Sequence, residues 1–150
     1  MMSWKPNVTV AAIIEQGARY LMVEEIIDNT PVFNQPAGHL EPGESLLQAV
    51  SREVLEETGR SFEPQWLIAV QLWQPSHRKT TFLRFAFTGR VSERDPGRTL
   101  DKEIVTTHWL TRQALETKRQ HLRSPLVLES IACYESGRRY PLTLLQSFLP

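Results

Sequence analysis

The sequence predicts an α+β domain whose helices pack on a mostly β core, and three observations carry that reading. Apolar runs rich in β-branched and aromatic residues recur along the first two thirds of the chain. One capped helical segment interrupts them, from Ser45 to Gly59. Two further helical segments follow the last strand-like run, with no repeat and no low-complexity tract between them.

Taken in order, "NVTVAAII" and "ARYLMVEE" flank the short polar turn "EQG", which predicts a β-hairpin. "TPVFNQPAG" reads as a short strand entering an irregular loop, because Pro36 and Gly38 both disfavour regular structure. Ser45 and Gln48 then form a Ser-x-x-Gln capping box, and Gly59 supplies the helix stop. "QWLIAVQLW" and "TTFLRFAFTGRV" are two more strands joined by the basic loop "QPSHRK". "EIVTTHWL" is a further strand and "TRQALETK" a short helix. In "SPLVLESIACYESG", Ser124 caps a helix, Pro125 occupies its first turn and Gly137 lies past its end. Trp66 and Trp109 are assigned to the core.

With 150 residues the chain fits one domain, residues 1–150, and a chain of this size buries roughly 68–70% of its unfolded surface. Seventeen basic residues balance seventeen acidic ones, so bulk charge does not attract nucleic acid. Cys133 is the single cysteine, which excludes an internal disulfide and makes the cytoplasm the default compartment. The run Val8 to Ile14 is too short to cross a membrane and ends at Glu15, so a soluble protein is expected.

The segment from Gly38 to Gly59 carries Glu41, Glu44, Glu53, Glu56 and Glu57 but only one basic side chain besides His39, Arg52. On a helical wheel Leu46, Leu47, Val50 and Val54 form the core-facing stripe, and Glu53 and Glu57 fall within it or at its edge. Like charges three or four residues apart cost a helix about 0.2–0.5 kcal/mol each even when exposed. Partial burial raises the penalty or protonates one member. One guanidinium cannot neutralise so many carboxylates, whereas a bound cation can. Oxygen-only ligands select hard divalent ions, so Mg²⁺ is expected, with Mn²⁺ able to substitute.

These residues resemble the Nudix box, G-x5-E-x7-R-E-U-x-E-E-x-G-U with U a bulky aliphatic residue. Gly38, Glu44, Arg52, Glu53, Val54, Glu56, Glu57 and Gly59 fall in register over residues 38–60, and Arg60 departs from the final aliphatic position. The likeness extends to the phosphatase NudJ group of that family, through "NVTVA", "FNQPAGHLE", "FLRF" and "LRSPLVLESIACYESGRRYPL". The resemblance implies an α/β/α sandwich with a central mixed sheet. It also implies Mg²⁺-dependent hydrolysis of nucleoside tri- and diphosphates and of hydroxymethylpyrimidine pyrophosphate, with direct release of inorganic phosphate. Two alternatives stay open: a Nudix pyrophosphohydrolase of other specificity, acting on nucleoside triphosphates, ADP-ribose or RNA 5′ ends, and a non-catalytic ligand-binding module.

On this reading Glu53, Glu56 and Glu57 hold the metal, and the resemblance adds the Gly38 carbonyl. Arg52 orients the glutamates and Glu44 anchors the loop, with a plain surface ion pair as the rival role of Glu44. The general base is Glu53 or Glu103, with Asp101 as a near neighbour able to take its place. Phe33, Trp73 and Phe82 are candidates to stack on a base or pyrimidine ring, and Arg84 to hold a phosphate. A small-molecule substrate, no nucleic acid and a monomer are expected.

Overall fold

The computed structural model describes residues 3–150. Its elements are β1 (Asn7–Ala12), β2 (Glu15–Gln16), β3 (Arg19–Ile27), β4 (Thr30–Asn34), β5 (Ala37–His39), α1 (Leu46–Thr58), β6 (Phe62–Trp73), β7 (Phe82–Val91), β8 (Ile104–Thr111), α2 (Arg112–Thr117), α3 (Leu126–Glu135) and β9 (Tyr140–Pro141). A five-stranded sheet runs β5-β1-β7-β6-β9, parallel only between β1 and β7. A second, antiparallel sheet is built on β3, which pairs with β2, β4 and β8.

Two cores lie on opposite faces of the mixed sheet. On one, Ala49, Val50 and Val54 of α1 pack against Val10, Ala12, Leu67 and Phe87. On the other, Leu115 of α2 with Val127 and Ile131 of α3 packs against Ile13, Ile68 and Ala86. This is the expected α/β/α layering. A side chain as completely buried as Phe87 contributes about 1.5–3 kcal/mol, so the two layers clamp β1 and β7 between them.

The hairpin expected between the first two apolar runs is not formed as such. Pairing is confined to Glu15–Gln16 with Arg19–Tyr20, extended by one bond from the Leu21 amide to the Ile14 carbonyl at 2.9 Å, across a turn in which Gly17 and Ala18 both have positive φ. β1 instead lies between β5 and β7, and β3 belongs to the other sheet. The physical reason is that Val10 to Ile14 is apolar on both faces: Ile14 joins one core and Ile13 the other, so this run needs cover on both sides. Gly38 also departs from expectation, lying within β5 opposite Val10 rather than in an irregular loop.

Trp66 is not a core residue. It is 42% exposed, because β9 pairs with Trp66 and Leu67 along the edge of β6, which satisfies the backbone without covering the face of the strand. Trp109 is partly buried against the α1-side core, as expected. Among the described residues no helix is long and apolar enough to cross a membrane.

Candidate functional site

The acidic helix is built as its local sequence dictates. Ser45 Oγ accepts from the Gln48 amide at 3.1 Å, the Gln48 side chain accepts from the Ser45 amide at 2.8 Å, and Gly59 closes the helix in the left-handed conformation at φ 72°. Fixing both ends of α1 fixes the rotation of its acidic face. Glu53 and Glu57 are buried, 8% and 7% exposed, on the side that meets β5.

Arg52 organises the rim of this face. It holds Glu44 in a two-pronged pair, Nε to Oε2 at 3.0 Å and Nη2 to Oε1 at 2.7 Å. The same guanidinium donates to Glu53 Oε1 at 2.8 Å, to Glu56 Oε2 at 3.3 Å and to the His39 carbonyl at 3.0 Å. Glu44 in turn accepts from the Glu41 amide at 2.9 Å. Arg52 therefore ties the loop before α1, strand β5 and two acids of α1 into one unit. The Arg52 hydrogen bonds hold the Glu44 carboxyl below its ordinary range, and those Glu44 bonds raise the Arg52 guanidinium despite its partial burial.

Glu57 has no such partner. Its Oε1 accepts the Ala37 amide at 2.9 Å, but burial, with the nearby charges of Glu53, Glu25 and Asp101, pushes its carboxyl up to about 9. Burial also raises Glu53 to about 7, against the opposing pull of Arg52. Burial thus disfavours the charged form of both acids unless a cation compensates it. They fit a bound divalent cation, which would restore both to carboxylates.

Asp101 completes the group: carboxylate oxygens of Glu53, Glu56 and Asp101 lie within 4.8 Å of one another. The Asp101 amide donates to the Glu56 carbonyl at 2.9 Å, which pins this turn to α1. Glu103 stands outside that group, exposed on the same turn and close enough to Glu25 to raise its carboxyl, after the larger effect of burial. One residue, Lys102, therefore separates the acid inside the cluster from the acid outside it.

Gly38 has a specific reason to be glycine. A methyl group there would overlap the Glu53 carboxylate, which packs directly against the β5 backbone. Arg60, off the family pattern, lays its guanidinium over Trp109 at 5.2 Å, with Nη1 donating to the Ser92 carbonyl at 3.0 Å.

Beside the acidic cluster a cleft of about 540 Å³ is lined by Ala37, Gly38 and His39 of β5, and further in by Trp73, Phe82 and Arg84. Trp73 and Phe82 stack with ring centroids 5.7 Å apart. Phe33 does not line the cleft. It is 7% exposed in the α3-side core, edge-on to His108 at 5.6 Å and capped by Lys118, so it backs the wall rather than offering a face for stacking. Sequence reasoning gave no role to Glu25, Asn34 or Arg123, which also line the cleft. Glu25 left one signal, an acid that with Glu24 interrupts the apolar run of β3 before Ile26 and Ile27.

The NUDIX domain family model matches residues 5–129. Over 145 residues the chain is 43% identical to Phosphatase NudJ of Shigella boydii serotype 4 (strain Sb227), covering 97% of this chain and 94% of that protein. The figures are the same for Phosphatase NudJ of Escherichia coli (strain K12). A solved structure, a NUDIX hydrolase from Nitrosomonas europaea, superposes with a TM-score of 0.93 at 52% identity, covering 96% of this chain and 98% of that one.

Proposed function

The chain belongs to the NUDIX domain family, within its NudJ-like subgroup, as a hydrolase of phosphoanhydrides, and from that premise we propose that it is a Mg²⁺-dependent phosphatase releasing inorganic phosphate. Its proposed substrates are nucleoside tri- and diphosphates and hydroxymethylpyrimidine pyrophosphate. The observation that carries this reading is the shared strand: β5 borders the aromatic cleft through Ala37–His39 and is bonded to Glu57 and Arg52 of the acidic cluster. A ring held between the cleft walls thus leaves its phosphates at the carboxylates.

In this assignment Glu53, Glu56, Glu57 and the Gly38 carbonyl hold Mg²⁺, with Mn²⁺ able to substitute. Bound Mg²⁺ offsets phosphoryl charge and lowers the pKa of an attacking water. Arg52 keeps Glu53 and Glu56 in position through the bonds given above, and Glu44 holds Arg52 to the loop. Trp73 and Phe82 provide the wall for the ring, and Arg84 the cationic floor. Asp101, rather than Glu103, takes the proton from the water, because Asp101 shares the cluster and Glu103 does not. The whole of residues 1–150 is assigned to one domain acting as a cytoplasmic monomer on small molecules, without a nucleic-acid or membrane partner.

Orthophosphate release, measured with Mg²⁺ and without added pyrophosphatase on these three substrate classes, tests the reaction. Direct release is expected; signal only after pyrophosphatase is added means internal cleavage to a monophosphate and sinks the phosphatase reading. The base assignment has its own test. A general base contributes typically 10²–10⁴-fold, so Asp101→Asn is expected to lower kcat by about 10² or more with little change in KM. Glu103→Gln is expected to leave kcat within about threefold on the same scale, and the opposite ranking returns the role to Glu103.

A further inference from the structure

Arg84 is a buried cation without a counter-charge. It is 5% exposed, yet its Nη1 donates to Ser130 Oγ at 2.9 Å and the Leu126 carbonyl at 3.5 Å, and its Nη2 to Gln35 Oε1 at 2.9 Å and Asn34 Oδ1 at 3.2 Å. All four acceptors are neutral oxygens. None of these four bonds uses its Nε–H, and Arg84 is one of the residues that line the cleft. Burial with no opposing charge pulls its pKa down to about 10. A cation in this state is costly to bury unless something compensates it. The four bonds fix the direction of the fork without neutralising it.

A second feature converges on the same place. Ser124 and Leu126, at the N-terminus of the ten-residue helix α3, also line the cleft; Leu126 N–H already donates to Ser124 Oγ at 3.1 Å and Val127 N–H to the Ser124 carbonyl at 3.3 Å, so the helix end adds its dipole there rather than a free donor. Arg78 and Arg123 stand on the same lining. We propose that Arg84 and the N-terminus of α3 form a built receptor for a phosphoryl group that the metal site does not hold, with Arg84 Nε–H donating to a phosphoryl oxygen. Gln35 and Ser130 act as positioning residues, since they lock the guanidinium that does the binding. The inference rests on the cleft being the substrate cleft. The phosphoryl group has two possible sources, the substrate's own chain or released orthophosphate.

The first test needs no variant enzyme activity. Inorganic phosphate is titrated into the full-length protein in chelator while the arginine Nε–H resonances are followed by ¹⁵N–¹H NMR, with the Arg84 signal assigned by its loss in Arg84→Lys. A saturable shift of the Arg84 signal is expected; shifts confined to other arginines overturn the proposal. Because charge-assisted bonds to a guanidinium are strong, Arg84→Lys should weaken phosphate binding about tenfold or more, with thermal melting to verify that the variant is folded. Kinetics in Mg²⁺ then separate the sources. A rise in KM for the triphosphate but not the diphosphate assigns the site to the substrate, whereas weaker inhibition by orthophosphate at an unchanged KM ratio assigns it to the product, and either supports the receptor. Phosphate bound at Arg84 in a protein that releases none from any substrate would keep this inference and sink the phosphatase reading.

Discussion

Glu57→Gln is expected to abolish phosphate release while making the metal-free protein more stable, and the gain should grow with pH. Loss of partners that merely support a metal ligand costs roughly 10–100-fold, so on the proposed assignment of Glu57 as a ligand its loss should exceed about 100-fold. The stability effect follows from linkage. Burial raises the Glu57 carboxyl from an ordinary 4.5 to about 9 in the folded chain, so folding takes up a proton between those values. The stabilisation this proton provides is complete below about 4.5 and disappears as pH rises through about 9. Glutamine carries no charge at any of these values, and its amide oxygen can still accept the Ala37 N–H that Glu57 accepts at 2.9 Å. Melting temperatures in chelator should therefore diverge from pH 5 upward, with the variant above the native chain. Adding Mg²⁺ should reverse the order, since ligand that binds only the folded site stabilises by mass action. A nearly fully active variant sinks the metal assignment, and a pH-independent difference in melting sinks the account of burial.

What the sequence made legible was local. The capping box and the 3.6-residue period are properties of fourteen consecutive residues, Ser45 to Thr58, and they placed Glu53 and Glu57 on the inward face correctly. The five-stranded sheet depends instead on β1 lying parallel to β7, with Val10 paired to Phe85 far along the chain, and no local pattern specifies such a partner. Alternation gives the two faces of a strand but not which is roofed. The expectation of a buried Trp66 and a cleft-facing Phe33 therefore fails: β9 meets Trp66 only along the strand edge, and Lys118 lies over the Phe33 ring within the α3-side core. Asp101 and Glu103 lie on one turn, and no local pattern says which of them joins Glu53 and Glu56; a backbone hydrogen bond from the Asp101 amide to the Glu56 carbonyl pins Asp101 to α1. Arg84 illustrates the same limit. Its side of β7 is buried beneath α3, so a position that alternation marked as substrate-facing is also a core position, and its four hydrogen bonds come from segments as far apart as Asn34 and Ser130.

Gly38→Ala is expected to cost activity nearly as heavily as loss of a ligand, although it removes no polar atom. The backbone conformation does not demand glycine, since Gly38 is not among the positive-φ residues. What demands it is the Glu53 carboxylate, into which the added methyl would project. The strand cannot yield readily, because Ala37, Gly38 and His39 are paired to β1 and Arg52 is bonded to the His39 carbonyl. The carboxylate must therefore swing, breaking its 2.8 Å bond to Arg52 and leaving the cluster it shares with Glu56 and Asp101. A misplacement of about 1 Å in a reacting site can cost 10²-fold, and a fall of that order in kcat is expected. Overpacking costs typically about 1–3 kcal/mol, so the variant should fold and melt only modestly earlier. Gly43→Ala is the control: Gly43 has φ 80° with open space around its Cβ direction, so its cost is backbone strain of about 1–2 kcal/mol with activity kept. Because Gly38→Ala retains the main-chain carbonyl, lost activity reports the position of Glu53 rather than removal of the carbonyl. Activity close to native would mean that Glu53 moves freely against β5, and that its contact with Gly38 does not set the geometry of the site.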